Sequence, residues 1–228
     1  MNFYTKLFAA AALSVMGTAA SAVTLTVLDF EIQQDDPGNI NGVALTDAYT
    51  HVPSNGSDPA TQPLAGLEGT MTVTAGKGCA YWDAGGSNLD GNGDVRRAAG
   101  IGAYDDYRTC TGGSDNLHDY EELTFTFSRL TQILGISLNG NHVDFSASGS
   151  IDVNAETVSL TNGDGSPTPT WGYSFTFANL VGGADCDEGV NNCGYISGMT
   201  ISQVPLPAGA LLLLSGLGAL GVARRRKS

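Results

Sequence analysis

Residues 121–128 read EELTFTFS, and this stretch decides the fold class. Leu123, Phe125 and Phe127 alternate with Thr124, Thr126 and Ser128. A period of two puts three large apolar side chains on one side of an extended backbone and three hydroxyls on the other, the pattern of a half-buried strand. The same alternation recurs in VTLTVLDFEI from Val23, GTMTVTA around Met71 and Val73, QILGISL with Leu134, Ile136 and Leu138, and GYSFTF with Tyr173, Phe175 and Phe177. Shorter candidates are HVDFSA from His142, SIDVNAETVSL from Ser150 and YISGMTIS from Tyr195. Between them lie DDPGN, SNGSDP, NLDGNGD, LNGN and TNGDGSPTP, rich in residues that accept positive φ or preset it. About eight short strands so punctuated, with no helical periodicity and no internal repeat, predict an all-β chain, an antiparallel β-sandwich of jelly-roll type.

Residues 23–203 are long enough for one domain with a sizeable core. All 23 acidic side chains fall in this segment, against Lys77, Arg96, Arg97, Arg108 and Arg129, a formal charge of −18. Such a field repels phosphate backbones and anionic lipid heads, so no nucleic acid is expected as a partner, and divalent cations are the more compatible ligands.

Ahead of this domain, residues 1–22 carry one cation at Lys6, an apolar stretch from about Leu7 to Ala20, and small residues at Ala20 and Ala22. That arrangement is a secretory signal peptide with an A-x-A cleavage site, which starts the mature chain near Val23. Export takes the four cysteines, Cys79, Cys110, Cys186 and Cys193, out of the reducing cytosol, so two disulfides are expected. Pairing by proximity, Cys79 with Cys110 and Cys186 with Cys193, closes two loops rich in Gly, Asp and Asn. Each bridge contributes on the order of 2–4 kcal/mol. A zinc site is the rival reading, but no C-x-x-C is present and histidine is scarce.

NLDGNGD places Asn88, Asp90, Asn92 and Asp94 two residues apart, which suits a calcium loop with oxygen ligands as well as a plain polar turn. Counted from Asp90, Val95 and Ile101 occupy the positions where an EF-hand needs its Gly and its bidentate Glu. A second polar cluster, Asp115, Asn116, His118, Asp119, Glu121 and Glu122, leads into the clearest strand, and His118 with His142 would be the imidazole pair available for proton or metal chemistry. Trp82, beside Tyr81 and Asp83, and Trp171, after the turn SPTPT, are candidate stacking faces for sugar rings if exposed, or end-packing residues if buried. Motifs of nucleophilic, zinc-dependent or phosphate-binding enzymes are absent, and no pair of carboxylates is singled out as in glycoside hydrolysis.

The last 25 residues read VPLPAGALLLLSGLGALGVARRRKS. Leu206–Ala223 is uncharged and, at about 1.5 Å per residue, spans roughly 27 Å as a helix, close to the hydrocarbon thickness of a bilayer. Pro205 and Pro207 block helix propagation toward the domain, and residues 224–227, Arg-Arg-Arg-Lys, hold the far end in the cytoplasm. Val204-Pro205-Leu206-Pro207-Ala208, a Gly/Leu/Ala helix and a basic tail together resemble the VPLPA variant of the PEP-CTERM sorting signals of Gram-negative bacteria. The motif departs from the commoner Pro-Glu-Pro form.

The resemblance implies that a membrane-embedded exosortase cuts the chain near Val204–Ala208, residues that act as substrate and not as catalyst. It also implies surface delivery in systems associated with exopolysaccharide and biofilm. Residues 100–145, with AAGIGAYDD ahead of LTFTF and NGNH after it, resemble more loosely the β-sandwich domains that precede such signals. The expectation is an exported, surface-sorted binding or matrix protein, perched transiently on the cytoplasmic membrane through a C-terminal transmembrane helix. It would bind polysaccharide with or without calcium. A polysaccharide-active enzyme, a purely structural matrix protein and a permanently anchored protein are the alternatives.

Overall fold

A computed structural model describes residues 24–30, 38–48, 64–83, 100–104, 117–118, 121–140, 145–183 and 192–204 of the chain. The signal peptide, residues 205–228, Cys110, Cys186, His142 and the Asn88–Asp94 loop lie outside the described residues. Leu25–Gln203 forms one compact unit. The described residues contain thirteen strands and no helix. They are β1 (Thr24–Asp29), β2 (Gly38–Asn39), β3 (Ala44–Thr46), β4 (Thr70–Ala75) and β5 (Cys79–Asp83). Then come β6 (Gly100–Tyr104), β7 (Leu117–His118), β8 (Glu122–Asn139) and β9 (Ser148–Val153). β10 (Glu156–Thr161), β11 (Asp164–Gly165), β12 (Trp171–Val181) and β13 (Cys193–Gln203) complete the order.

EELTFTFS and QILGISL, read from sequence as two strands, form a single 18-residue strand, β8. The physical reason is visible between them: Ser128-Arg129-Leu130-Thr131-Gln132 holds no Gly, Pro, Asn or Asp to turn the chain. β8 therefore organises the sheet. Along one edge its first half, Leu123–Phe127, pairs with β4 and its second half, Thr131–Asn139, with β13. Along the other edge it takes β12 and then β11. Every strand-to-strand pairing with a defined register is antiparallel. The series β8, β12, β9, β10, β11 returns to β8 and closes a five-stranded barrel. From β13 the sheet continues through β6, β5 and β2, with β1 and β7 also on β13.

Two hairpins in the ring follow from local chemistry. Asn162–Gly163 joins Thr161 to its partner Asp164, with φ of 51° and 87°; Asn154–Ala155 joins Val153 to Glu156, with φ of 50° and 65°. Two-residue loops with both central residues at positive φ are the turns whose twist matches that of the flanking strands.

The core is the apolar side of these strands. Leu123, Phe125, Phe127, Met71 and Val73 are all buried, as their alternation requires. Phe30 links two regions of the sheet: its ring stacks on Phe125 at 6.0 Å and meets Trp82 edge-on at 5.8 Å. Phe125 in turn meets Phe177 of β12 at 5.3 Å. Such ring pairs add about 0.5–1.5 kcal/mol each beyond area burial.

The alternation misleads at three places: in β1, Leu25 and Val27 are exposed while Thr26, Leu28 and Phe30 are buried, and the other two places are irregular in register. Leu134 is only half-buried, and Ile133 takes the core position. Ile201 pairs with Ile133 while Thr200 pairs with Gly135, so Leu134 is the extra residue of a bulge. Tyr173, expected inside with Phe175 and Phe177, is 56 % exposed. Gly172 pairs with Thr131 and Ser174 with Thr126, which leaves Tyr173 unpaired opposite the bend of β8.

At the end of β13 the side chain of Gln203 is fully buried. Its Oε1 accepts from the Glu68 backbone N–H at 2.8 Å and its Nε2 donates to Thr131 Oγ1 at 3.1 Å. Thr131 Oγ1 donates to Arg129 O at 2.9 Å, and Arg129 pairs with Glu68 at 3.0 Å. The Gln203 side chain thus ties the end of β13 to β8 and to the Glu68 backbone.

Candidate ligand-binding face

The register break at which residues 127–130 of β8 stand opposite Tyr173 alone sets two aromatic rings of β12 outside the core. Trp171 is 44 % exposed and Tyr173 56 % exposed. A Cβ on Gly172 between them would stand 3.5 Å from the Phe175 ring, an ordinary contact. The segment leading into Trp171 is fastened: Glu156 Oε1 accepts from Thr168 N–H at 3.1 Å and from Thr168 Oγ1 at 2.6 Å. Beside this fastening lies a hollow of about 100 Å³ lined by Ile133, Asn154, Glu156, Pro167, Thr168 and Phe175, among others. Asn154 Oδ1 accepts from Thr176 N–H at 2.9 Å, which ties the β9–β10 turn to β12.

Directly after Tyr173, Ser174 begins a hydroxyl-bearing surface. The polar positions of β3, β4, β8 and β12 stand in register across the sheet. One row runs Ala44, Thr72, Thr126, Ser174 and the next Thr74, Thr124, Thr176. A third begins Thr46 and Thr70, with Thr70 N–H donating to Ser128 Oγ at 2.8 Å. All these side chains are exposed or half-buried. Thr124 and Thr176 share a hydrogen bond at 3.0 Å, and Thr126 and Ser174 one at 3.4 Å.

Charges stand only at the margins of these rows. Glu122 and Asp152 both lie opposite Ala178. Asp152 accepts from Thr157 Oγ1 at 2.6 Å and Asn179 Nδ2 at 2.7 Å, bonds that hold its carboxyl below the ordinary 3.8. At the far margin the Arg129–Glu68 pair lies beside Ser128 and Gly69.

Of the sequence candidates, Trp171 presents a face to solvent. Trp82 does not, and its expectation as a stacking platform is corrected: it is fully buried, its indole N–H donates to Phe30 O at 2.8 Å, and β5 is covered on both sides. His118 and Glu121 are also buried, His118 N–H donating to Glu121 Oε2 at 3.0 Å; Glu122 is exposed. Neither Cys79 nor Cys193 is a free thiol. Among the described residues no group of three or more His, Cys, Asp or Glu side chains is arranged to hold a metal ion. Sequence reading missed Tyr173 and the hydroxyl rows. The rows were present in it as T-x-T spacings in TMTVT and LTFTFS, but their alignment depends on strand pairing. Compared with known protein families, with characterised proteins and with solved structures, the chain matches none of them.

Proposed function

We propose that this chain is an exported, surface-sorted polysaccharide-binding protein of the envelope matrix. The observation that carries the reading is the exposed pair Trp171 and Tyr173 near a small hollow that mixes the oxygens of Asn154, Glu156 and Thr168 with apolar Ile133, Pro167 and Phe175, since sugar C–H faces stack on aromatic rings while their hydroxyls need nearby oxygens. Delivery rests on the terminal segments: a signal peptide at 1–22 sends the chain out. An exosortase then cuts at Val204–Ala208 and releases it from its membrane helix to the surface.

In this reading the strands fold as a jelly-roll-like sandwich, supported by the ring chain from Trp82 through Phe30 and Phe125 to Phe177. Disulfides Cys79–Cys110 and Cys186–Cys193 hold its loops. Cys79 is in register with Tyr104, where the chain leaves β6 toward Cys110, and Cys193 follows Cys186 by seven residues. Calcium in the Asn88–Asp94 loop is a further stabilising ligand.

A glycan array probed with the full chain in neutral detergent, with and without calcium, tests the binding. Retention on a polysaccharide that falls at least tenfold in Trp171→Ala/Tyr173→Ala is expected, and no retention on any glycan refutes the reading. An epitope tag placed after Ser228 tests the sorting: it is expected to be absent from the surface protein, and a full-length membrane-bound product refutes the cut.

A further inference from the structure

Resting on the polysaccharide reading, we infer that the ligand is an uncharged, extended polysaccharide that passes from Trp171 and Tyr173 across the hydroxyl rows of β3, β4, β8 and β12. The first argument is continuity. Ser174 adjoins Tyr173 in the chain and belongs to the row that ends at Ala44 three strands away. Neighbouring strands stand about 4.8 Å apart and alternate residues about 6.7 Å apart, so the rows form a patch roughly 14 Å wide and 13 Å long. That is a surface for several consecutive sugars, not for one ring.

The second argument is charge. No position in the three rows is charged, inside a domain whose formal charge is −18. A polyanion crossing the patch meets Glu122 and Asp152 at one margin, and at the other an arginine already neutralised by Glu68. Among the described residues the exposed Lys77, three residues past Thr74, offsets part of the Glu122 margin, and the field of the domain as a whole is repulsive. A neutral chain meets neither cost. Each Thr or Ser hydroxyl both donates and accepts, so it matches a sugar hydroxyl in either sense. The threonine methyl groups meet the C–H faces of the rings. Hydrogen bonds such as Thr124 to Thr176 fix the hydroxyls before the ligand arrives.

The experiment is affinity electrophoresis of the full chain in neutral detergent, through gels containing a neutral glucan or a polyuronate, at low and high salt. The neutral polymer is expected to retard the protein at both salt concentrations, a disaccharide is expected to compete at least tenfold more weakly than the polymer, and the polyuronate is expected to cause no retardation. Thr126→Glu, at the exposed centre of a row, is expected to weaken neutral-glucan binding at least tenfold, with Thr126→Ser retaining it and both variants keeping the melting temperature of the parent. Retardation by the polyuronate overturns the inference. So does wild-type glucan affinity in Thr126→Glu alongside lost affinity in Trp171→Ala/Tyr173→Ala, an outcome that leaves the polysaccharide reading standing. Retardation of the unaltered chain by neither polymer refutes that reading and the inference with it.

Discussion

Gln203 offers the sharpest test of how the domain ends. Replacing it with alanine removes the acceptor at 2.8 Å for the Glu68 backbone N–H and the donor at 3.1 Å to Thr131 Oγ1. The Thr131 hydroxyl keeps its own acceptor, the Arg129 carbonyl, so the main cost is at Glu68. Losing a hydrogen-bond partner in a partly buried place costs about 1–2 kcal/mol. The lost buried methylene adds about 0.8 kcal/mol. A total of about 2–3 kcal/mol corresponds to a fall in melting temperature of about 4–12 °C for a domain of this size. Calorimetry of the full chain in neutral detergent, with its cysteines left oxidised, measures it. Combined with Thr131→Val in a double-mutant cycle, the pair is expected to couple by at least 0.5 kcal/mol. A shift below about 2 °C would show that water reaches this end of β13 at little cost, and the reasoning would be wrong.

Three further outcomes follow from the core, a turn and an ionised side chain. Phe125→Ala, which removes the ring between Phe30 and Phe177, is expected to cost about 3–5 kcal/mol in urea unfolding. Ala155→Gly is expected to stabilise the chain by about 1 kcal/mol in the same assay, because Ala155 holds a φ of 65° that glycine adopts without strain. Asp152 has a carboxyl held below its ordinary 3.8 in the fold, so its stabilisation is present above 3.8 and is lost as pH falls through the depressed folded value. Carboxyl NMR titration is expected to show that value rise in Thr157→Ala, the larger cause, and less in Asn179→Ala.

The strands were legible wherever two-residue alternation ran unbroken, as from Leu123 to Phe127 and at Met71 and Val73, because one buried face suffices to fix it. What sequence did not disclose was non-local. Leu134 and Tyr173 obey the alternation in sequence and break it in space, since a bulge is set by the partner strand. The continuity of β8 shows in the sequence only as the lack of turn residues at 128–132. Trp82 and Trp171 are alike as residues. Only the covering of β5 on both sides and the register break between β8 and β12 separate a buried ring from an exposed one. The hydroxyl rows belong to four strands, and no single segment contains them.

Thr131 pairs with Gly172 on one side and with Gln203 on the other. The exposed ring at Trp171 and the point where the chain departs toward Val204 are therefore two strand spacings apart, about 10 Å. Tension applied between a captured polymer and the tail crosses β8 at one residue, along the line reinforced by the Gln203 side chain. That line runs through the β8–β12 pairing of the barrel, while the stacked rings of Phe30, Phe125 and Phe177 lie toward the other half of β8. The first bonds to feel the load are those at Thr131, ahead of the aromatic core.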